Sequence, residues 1–266
     1  MFKAFYSLKE TPFTKAIKAQ DIYPSDSCAE TLSRLEYLKQ IRGIGAITGE
    51  AGTGKTTYLR AFADKLNPSL YNVIYFPLST GTVMDFYRGI ARCLGEQPRF
   101  RKVELFNQIQ EAITRSFTED RITPVIILDE MQMARPKFLS EITILFNFSM
   151  DSQNPFVLIL SGLDLFSDRL KLNQNRPLNQ RLVMRYKIEA LDEAECHAYI
   201  THQMKLAGAN TPLFEESALK AIAQRTRGIP RLINNVCTDA LIMGVSDKAH
   251  TISDEIVYRA CEMLSF

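Results

Sequence analysis

The sequence predicts an α/β fold, a parallel sheet flanked by helices, followed by a small C-terminal domain made only of helices. Three observations carry that prediction. Short apolar runs of strand character alternate with stretches of helical spacing up to about residue 190. The octapeptide Gly49-Glu50-Ala51-Gly52-Thr53-Gly54-Lys55-Thr56 is a complete phosphate-binding loop, set between one such run and a helix. Beyond Leu191 the strand-like runs stop and only helical spacing remains.

Residues 1–26 read as an N-terminal extension, interrupted by Thr11-Pro12-Phe13 and Tyr23-Pro24. A helix is expected from Ser27, with Ser27 and Glu30 as a capping box and Leu32, Leu35, Leu38 and Ile41 at helical spacing. Gly43 to Thr48 is a short apolar strand, the loop follows, and a helix runs from Thr57 to Leu66. Tyr71 to Phe76 is a second strand, and Thr82 with Asp85 opens a helix that ends near Leu94. Val103 to Phe117 is amphipathic, and Pro124 to Asp129 has the unbroken apolar character of a fully buried strand. A helix from Pro136 to about Met150 leads to another buried strand, Phe156 to Ser161. Four helices then close the chain: Asp192–Ala207, Phe214–Arg227, Pro230–Gly244 and Ser253–Leu264. The expected domains are the extension 1–26, a phosphate-loop α/β domain 27–190 and a helical domain 191–266.

With 266 residues, 46% hydrophobic and 23% charged, the chain has the composition of a soluble globular protein. A net charge of +2 argues neither for nor against a nucleic-acid partner, so any basic surface must come from local clustering. Five scattered cysteines without a Cys-x-x-Cys pair, and three histidines, argue against a disulfide framework or a zinc site. No run reaches the roughly 18 apolar residues of a membrane span. The N-terminus also lacks the apolar core of a signal peptide. A cytoplasmic protein with no membrane partner is the expectation.

The loop dictates the first piece of chemistry. Binding a phosphate needs several backbone N–H groups turned to one point, which Gly49, Gly52 and Gly54 permit. Lys55 can reach the β- and γ-phosphates, and Thr56 offers a hydroxyl to Mg²⁺. The helix entered through Thr56 and Thr57 points its positive end at the anion. ATP and Mg²⁺ are therefore the expected ligands. Asp129 follows four apolar residues, a position from which a carboxylate can hold the Mg²⁺ shell, and Glu130 beside it can polarise a water. A paired Asp-Glu at a strand end favours hydrolysis of the nucleotide over transfer to a second substrate.

On these residues the chain resembles the AAA+ ATPases, and more closely the ExeA-type ATPases and the transposition regulators of the MuB, TnsC and IstB kind. Phe5-Tyr-Ser-Leu-Lys-Glu-Thr-Pro12-Phe13 is similar to the start of that group, and Leu128-Asp-Glu-Met-Gln132 resembles its Asp-Glu-Ala-Gln. Arg227-Gly-Ile-Pro-Arg231 matches its lid signature. The resemblance implies a P-loop AAA+ ATPase domain with a helical lid. It also implies that Ser161 senses the γ-phosphate and that Arg231 reaches the nucleotide from the lid. Leu178-Asn-Gln-Arg181-Leu-Val-Met-Arg185-Tyr resembles the segment that bears the family's arginine finger. Arg181 is the first choice and Arg185 the second, and either could instead pair with a carboxylate. A finger would make the protein a homo-oligomer with ATP sites shared between subunits.

Arg99, Arg101 and Lys102 surround Phe100 and form the best local basic cluster, one suited to the backbone of duplex DNA. Two functions follow from the resemblance. The first is an ATP-dependent, DNA-binding regulator of transposition that assembles as a filament or ring and recruits a transposase and a target-selection protein. The second is an ExeA-like cytoplasmic ATPase module for secretion or cell-envelope work. ExeA itself continues into a membrane span and a wall-binding domain, and this sequence stops at Phe266, which is why the transposition regulator ranks first. A nucleotide-gated scaffold without hydrolysis is the third possibility.

Overall fold

The structure is a computed structural model that describes residues 2–77 and 82–264. Five strands form one sheet: β1 (Gly43–Gly49), β2 (Tyr71–Pro77), β3 (Thr123–Asp129), β4 (Val157–Gly162) and β5 (Leu182–Ile188), in the order β2-β3-β4-β1-β5. Every pairing is parallel. β1, β3 and β4 lie inside the sheet with every residue from Val125 to Leu128 and from Val157 to Leu160 buried, as strands covered on both faces must be. The edge strand β5 instead alternates between buried Leu182 and Met184 and exposed Val183 and Arg185. That half-buried pattern in a short run is why β5 did not stand out in the sequence.

The register aligns the chemistry. Leu128 pairs with Leu160, Ile47 with Ser161 and Pro77 with Asp129, so β1, β2, β3 and β4 all end at one edge. In open α/β sheets ligands bind at that carboxyl edge.

The chain divides into two compact units. The sheet unit comprises Thr31–Gly49 and Lys55–Ile188, and its core runs from Phe86 and Ile90 through Leu105 and Ile109 to Phe138 and Phe166. The helical unit comprises the N-terminal stretch through Glu30, the pentapeptide Glu50–Gly54 and the chain from Glu189 onward. Helices Glu193–Leu206, Glu216–Thr226, Pro230–Ser246 and Asp254–Met263 build it around Ile200, Ile222, Ile233, Leu241 and Val257. Tyr6, Leu8 and Phe13 of the extension are buried in that same core.

Several helix ends follow from their caps. Thr82 and Asp85 make a full capping box, with Thr82 N–H donating to Asp85 Oδ2 at 2.9 Å and Asp85 N–H to Thr82 Oγ1 at 3.2 Å. Asp192 and Glu195 do the same for helix Glu193–Leu206. Two expectations are corrected. The helix expected from Ser27 begins at Asp26, and its cap is Ser25, whose Oγ accepts from Cys28 N–H at 3.2 Å. The helix expected to reach Met150 ends at Leu145, where Arg181 of helix Arg176–Arg181 bonds to the carbonyls of Thr143 and Phe146.

Candidate nucleotide site

Asp129 organises the candidate residues of the sheet unit. Only 2% exposed, its carboxylate accepts from four donors: Thr56 Oγ1 (2.9 Å) and Tyr75 OH (3.1 Å) on Oδ2, and Ser161 Oγ (2.7 Å) and the N–H of Glu130 (3.0 Å) on Oδ1. A buried carboxylate is tolerated only when so compensated. The three hydroxyls come from β2, β4 and the first turn of helix Lys55–Lys65, so the parallel register is what brings them to one point.

Tyr75 has no counterpart in the sequence reading. Its phenol is pushed up to about 12, first by burial of the hydroxyl and then by the charge and hydrogen bond of Asp129 and the charge of Glu130. The tyrosine therefore stays a donor across the physiological range. The only signal in the sequence is its place two residues before the end of the edge strand β2, and that becomes legible only once the register is known.

Around the phosphate loop, Lys55 Nζ reaches back to donate to the carbonyl of Gly49 at 2.8 Å, and Thr53 Oγ1 donates to Glu50 O at 2.9 Å. Lys55, Thr56 and Thr57 form the first turn of helix Lys55–Lys65, which places its N–H groups beside the loop. Glu50 and Ala51 are exposed, whereas Thr53 is buried. Gly52 and Gly54 have φ of +93° and +100°, the left-handed region a phosphate cradle needs.

In the helical unit, Arg231 sits in the first turn of helix Pro230–Ser246, and its N–H donates to Gly52 O at 3.3 Å. A Cβ built on Gly52 would lie 2.8 Å from Arg231 Cβ, so the glycine permits this approach. The turn that delivers Arg231 is itself constrained. Arg227 and Gly228 both have positive φ, and a Cβ on Gly228 would lie 1.8 Å from Leu191 O. Gly228 O in turn accepts from Leu191 N–H at 2.9 Å. The Arg227-Gly-Ile-Pro-Arg231 signature is thus a tight turn with Arg231 at its exit.

The structure gives the other candidate residues particular surroundings. Ser161 is fully buried, and its hydroxyl is engaged by Asp129. Arg181 donates through Nη1 to Thr143 O and through Nη2 to Phe146 O, both at 2.7 Å, closing the end of helix Pro136–Leu145. Arg185, on β5, is exposed and bonds to Asn179 O. Arg99 and Arg101 are exposed next to Phe100, which is 83% exposed. Lys102 differs from them: its ammonium pairs with the buried carboxylate of Glu141, whose other oxygen accepts from Tyr87 OH at 2.8 Å. Burial alone would raise the Glu141 carboxyl, but the hydrogen bonds of Lys102 and Tyr87 outweigh it and hold the group below its usual range. That pair is an internal charge network that the spacing of three cations around a phenylalanine could not reveal.

The donor set fits Mg²⁺. The Thr56 hydroxyl and the Asp129 carboxylate are hard oxygen donors already side by side. Among the described residues, no three or more His, Cys, Asp or Glu side chains group to hold a metal. A Mg²⁺ here would complete its shell with phosphate oxygens and water, its ordinary habit in nucleotide sites.

Comparison with known proteins agrees with this geometry. Residues 39–170 match a family described as AAA domain. General secretion pathway protein A of Aeromonas hydrophila is 30% identical over 257 residues, 95% of this chain and 46% of that protein, so the chain spans about half the length of this relative. Cdc6p of Pyrobaculum aerophilum superposes with a TM-score of 0.67 at 17% identity, covering 92% of this chain and 70% of that one. The ORC2 protein of Aeropyrum pernix, solved as ADPNP and ADP complexes, gives 0.68 at 18% over 94% and 70%. The RuvB branch migration motor of Thermotoga maritima gives 0.61 at 20% over 90% and 69%. These structures share the P-loop AAA-type fold. No helix among the described residues is long and apolar enough to cross a membrane.

Proposed function

We propose that this chain, built around the AAA domain of residues 39–170, is a Mg²⁺-dependent ATPase module of the kind found in general secretion pathway protein A. One observation carries the hydrolytic part. Thr56 of the phosphate loop and Asp129 of β3 are hydrogen-bonded at 2.9 Å, and Glu130, next in sequence, is exposed beside them. In this reading Lys55 and the loop N–H groups hold the β- and γ-phosphates, and Thr56 and Asp129 would hold Mg²⁺, which would supply neutralising charge there. Glu130 takes the proton of a water that attacks the γ-phosphorus as the bond to the β-phosphate oxygen breaks, leaving ADP and phosphate. Arg231, whose N–H donates to Gly52 O within its own unit, is the sensor of the nucleotide in this reading. The fuel, ATP, is a cytoplasmic metabolite, which supports the cytoplasmic placement.

The relative favours the secretion reading over transposition, because the similarity runs along 95% of this chain. The length of this sequence does not weigh against it, since only 46% of that relative is spanned. A phosphate-release assay tests the ATPase proposal. Glu130→Gln should bind ATP with near-native affinity and lose about 10²-fold or more in turnover, the range for removing a general base. Wild-type turnover in that variant would sink the assignment, and no turnover in the wild type under any oligomeric condition would leave the nucleotide-gated scaffold.

A DNA-binding reading is kept for one specific feature, the exposed Arg99-Phe100-Arg101 triplet. Duplex DNA would be held through its backbone, in a homo-oligomer that takes a finger from Arg181 or Arg185 and delivers DNA to a transposase and its target-selection protein. The Lys102–Glu141 pair makes Lys102 a poor probe of that idea, because removing it strands a buried carboxylate. Replacing Arg99 and Arg101 with Gln should lower the salt slope of duplex binding by about 0.9 per lost contact. An unchanged slope would remove the triplet from any DNA role.

A further inference from the structure

Glu130 is not simply an exposed acid at a strand end. Its backbone is left-handed, with φ 61° and ψ 36°, a conformation that costs a non-glycine residue energy and persists only where its surroundings impose it. Its Oε2 is hydrogen-bonded by the side-chain amide of Gln132, two residues on, in the short 3-10 turn Met131–Met133. The other end of that amide, Oε1, accepts from the N–H of Leu163 at 3.0 Å. Because Leu163 N–H can only donate, the amide orientation is settled by its partners: oxygen towards Leu163, nitrogen towards Glu130.

The turn that carries Gln132 is pinned as well. Arg169 Nη1 donates to Gln132 O at 2.6 Å and to Ala134 O at 2.9 Å. Gly162 packs tightly against the same side chain, since a Cβ there would lie 3.2 Å from Gln132 Oε1 and 3.3 Å from Gln132 N. One amide thus joins the Glu130 carboxylate to the Gly162-Leu163 exit of β4, one residue beyond Ser161, which is bonded to Asp129. The β4 exit and the carboxylate are thus bonded to opposite ends of one planar amide. A carboxylate has two oxygens and about four acceptor directions, so Oε2 can be gripped while Oε1 keeps lone pairs for a water.

We propose that Gln132 is a positioning residue for hydrolysis: its amide aims the Glu130 carboxylate and couples that aim to the β4 exit, while taking no part in binding nucleotide. The proposal rests on Glu130 being the base. Gln132→Glu is the sharpest probe, because it keeps an oxygen acceptor for Leu163 N–H but removes the donor to Glu130 and sets two carboxylates face to face. Gln132→Met keeps the length and removes both bonds.

The experiment measures kcat, KM for ATP and melting temperature, with single-turnover rates for the wild type, Gln132→Glu, Gln132→Met, Glu130→Gln and the double variant Gln132→Glu/Glu130→Gln. We expect both Gln132 variants to lose roughly 10- to 100-fold in kcat, as a misaimed catalytic group does, with KM within about twofold of wild type. Melting should fall by no more than the few degrees of two lost hydrogen bonds, leaving the protein folded at the assay temperature, and Gln132→Glu should cost nothing further in kcat in the Glu130→Gln background, since residues acting as one unit are non-additive. Wild-type kcat in both Gln132 variants overturns the proposal. So does a loss that follows KM, or one that disappears when the assay is run well below the melting temperature, and so does a full additional loss on top of Glu130→Gln. If Glu130→Gln itself turns over normally, the base assignment falls and this proposal with it, an outcome distinct from a normal Gln132→Glu beside a crippled Glu130→Gln.

Discussion

Ser161→Ala separates two roles for a residue that ends an apolar strand and that the resemblance marks as a γ-phosphate sensor. The hydroxyl is fully buried and donates to Asp129 Oδ1 at 2.7 Å. Hydrogen bonds to a charged acceptor contribute about 1.5–3 kcal/mol. Oδ1 keeps the N–H of Glu130, and Oδ2 keeps Thr56 and Tyr75, so the loss should fall near the lower end, about 1.5–2 kcal/mol. For a chain of this size that corresponds to a drop of about 3–8 °C in melting temperature. The loss should be present without nucleotide, because the bond exists without it. Thermal unfolding followed by circular dichroism, with and without ADP, reads it directly. A nucleotide-free shift under about 1 °C would refute the reasoning and return Ser161 to a purely phosphate-sensing role.

Other outcomes follow from the same surroundings. Gly228→Ala must place a methyl 1.8 Å from Leu191 O at a φ of +72°, so urea unfolding of the helical unit should show a loss of about 3 kcal/mol or more; a loss under about 1 kcal/mol would mean the turn can move aside. Arg181→Ala should cost about 1–2 kcal/mol in stability by uncapping helix Pro136–Leu145, whereas Arg185→Ala on exposed β5 should be stability-neutral and lower turnover only if it acts on a neighbouring subunit. Equal melting temperatures for the two variants would contradict that division. Thiol titration of the native protein should find Cys93 and spare the four buried cysteines. Burial first, and nearby Asp192, Glu195 and Glu193 second, push the Cys196 thiol from 9.0 up to about 12. A raised thiol contributes stability that is whole below pH 9 and is lost as pH climbs through 12, and Cys196→Ala should flatten stability over that window.

The reach of the sequence differs from element to element. The phosphate loop, Asp129 and Glu130 were legible because each is a local pattern: glycines where the backbone must turn, and acids where an apolar run ends. The interior strands were legible for a similar reason, since a strand buried on both faces is a continuous run of Val, Ile and Leu. Edge strand β5 and the true cap of helix Asp26–Ile41 were not, because alternating burial in seven residues and a choice between Ser25 and Ser27 are decided by neighbours. The roles of lone cations were the least legible. Lys102, Arg181 and Arg185 look alike on paper, yet one neutralises buried Glu141, one caps a helix and one faces solvent on an edge strand.

By itself, then, the sequence determined that a loop of phosphate-binding pattern belongs to a parallel α/β sheet with an acidic pair at the end of another strand. Backbone conformation and strand burial are written in residue type and short-range spacing. Only the tertiary structure decided what surrounds that pair. The parallel register sets Tyr75, Ser161 and Thr56 on one buried carboxylate, and the β4 exit meets Gln132, which holds Glu130. Residues 32, 54 and 73 positions from Asp129 meet it within hydrogen-bonding distance because strands at fixed spacing end at one level, and nothing in a single run of sequence records where another run ends.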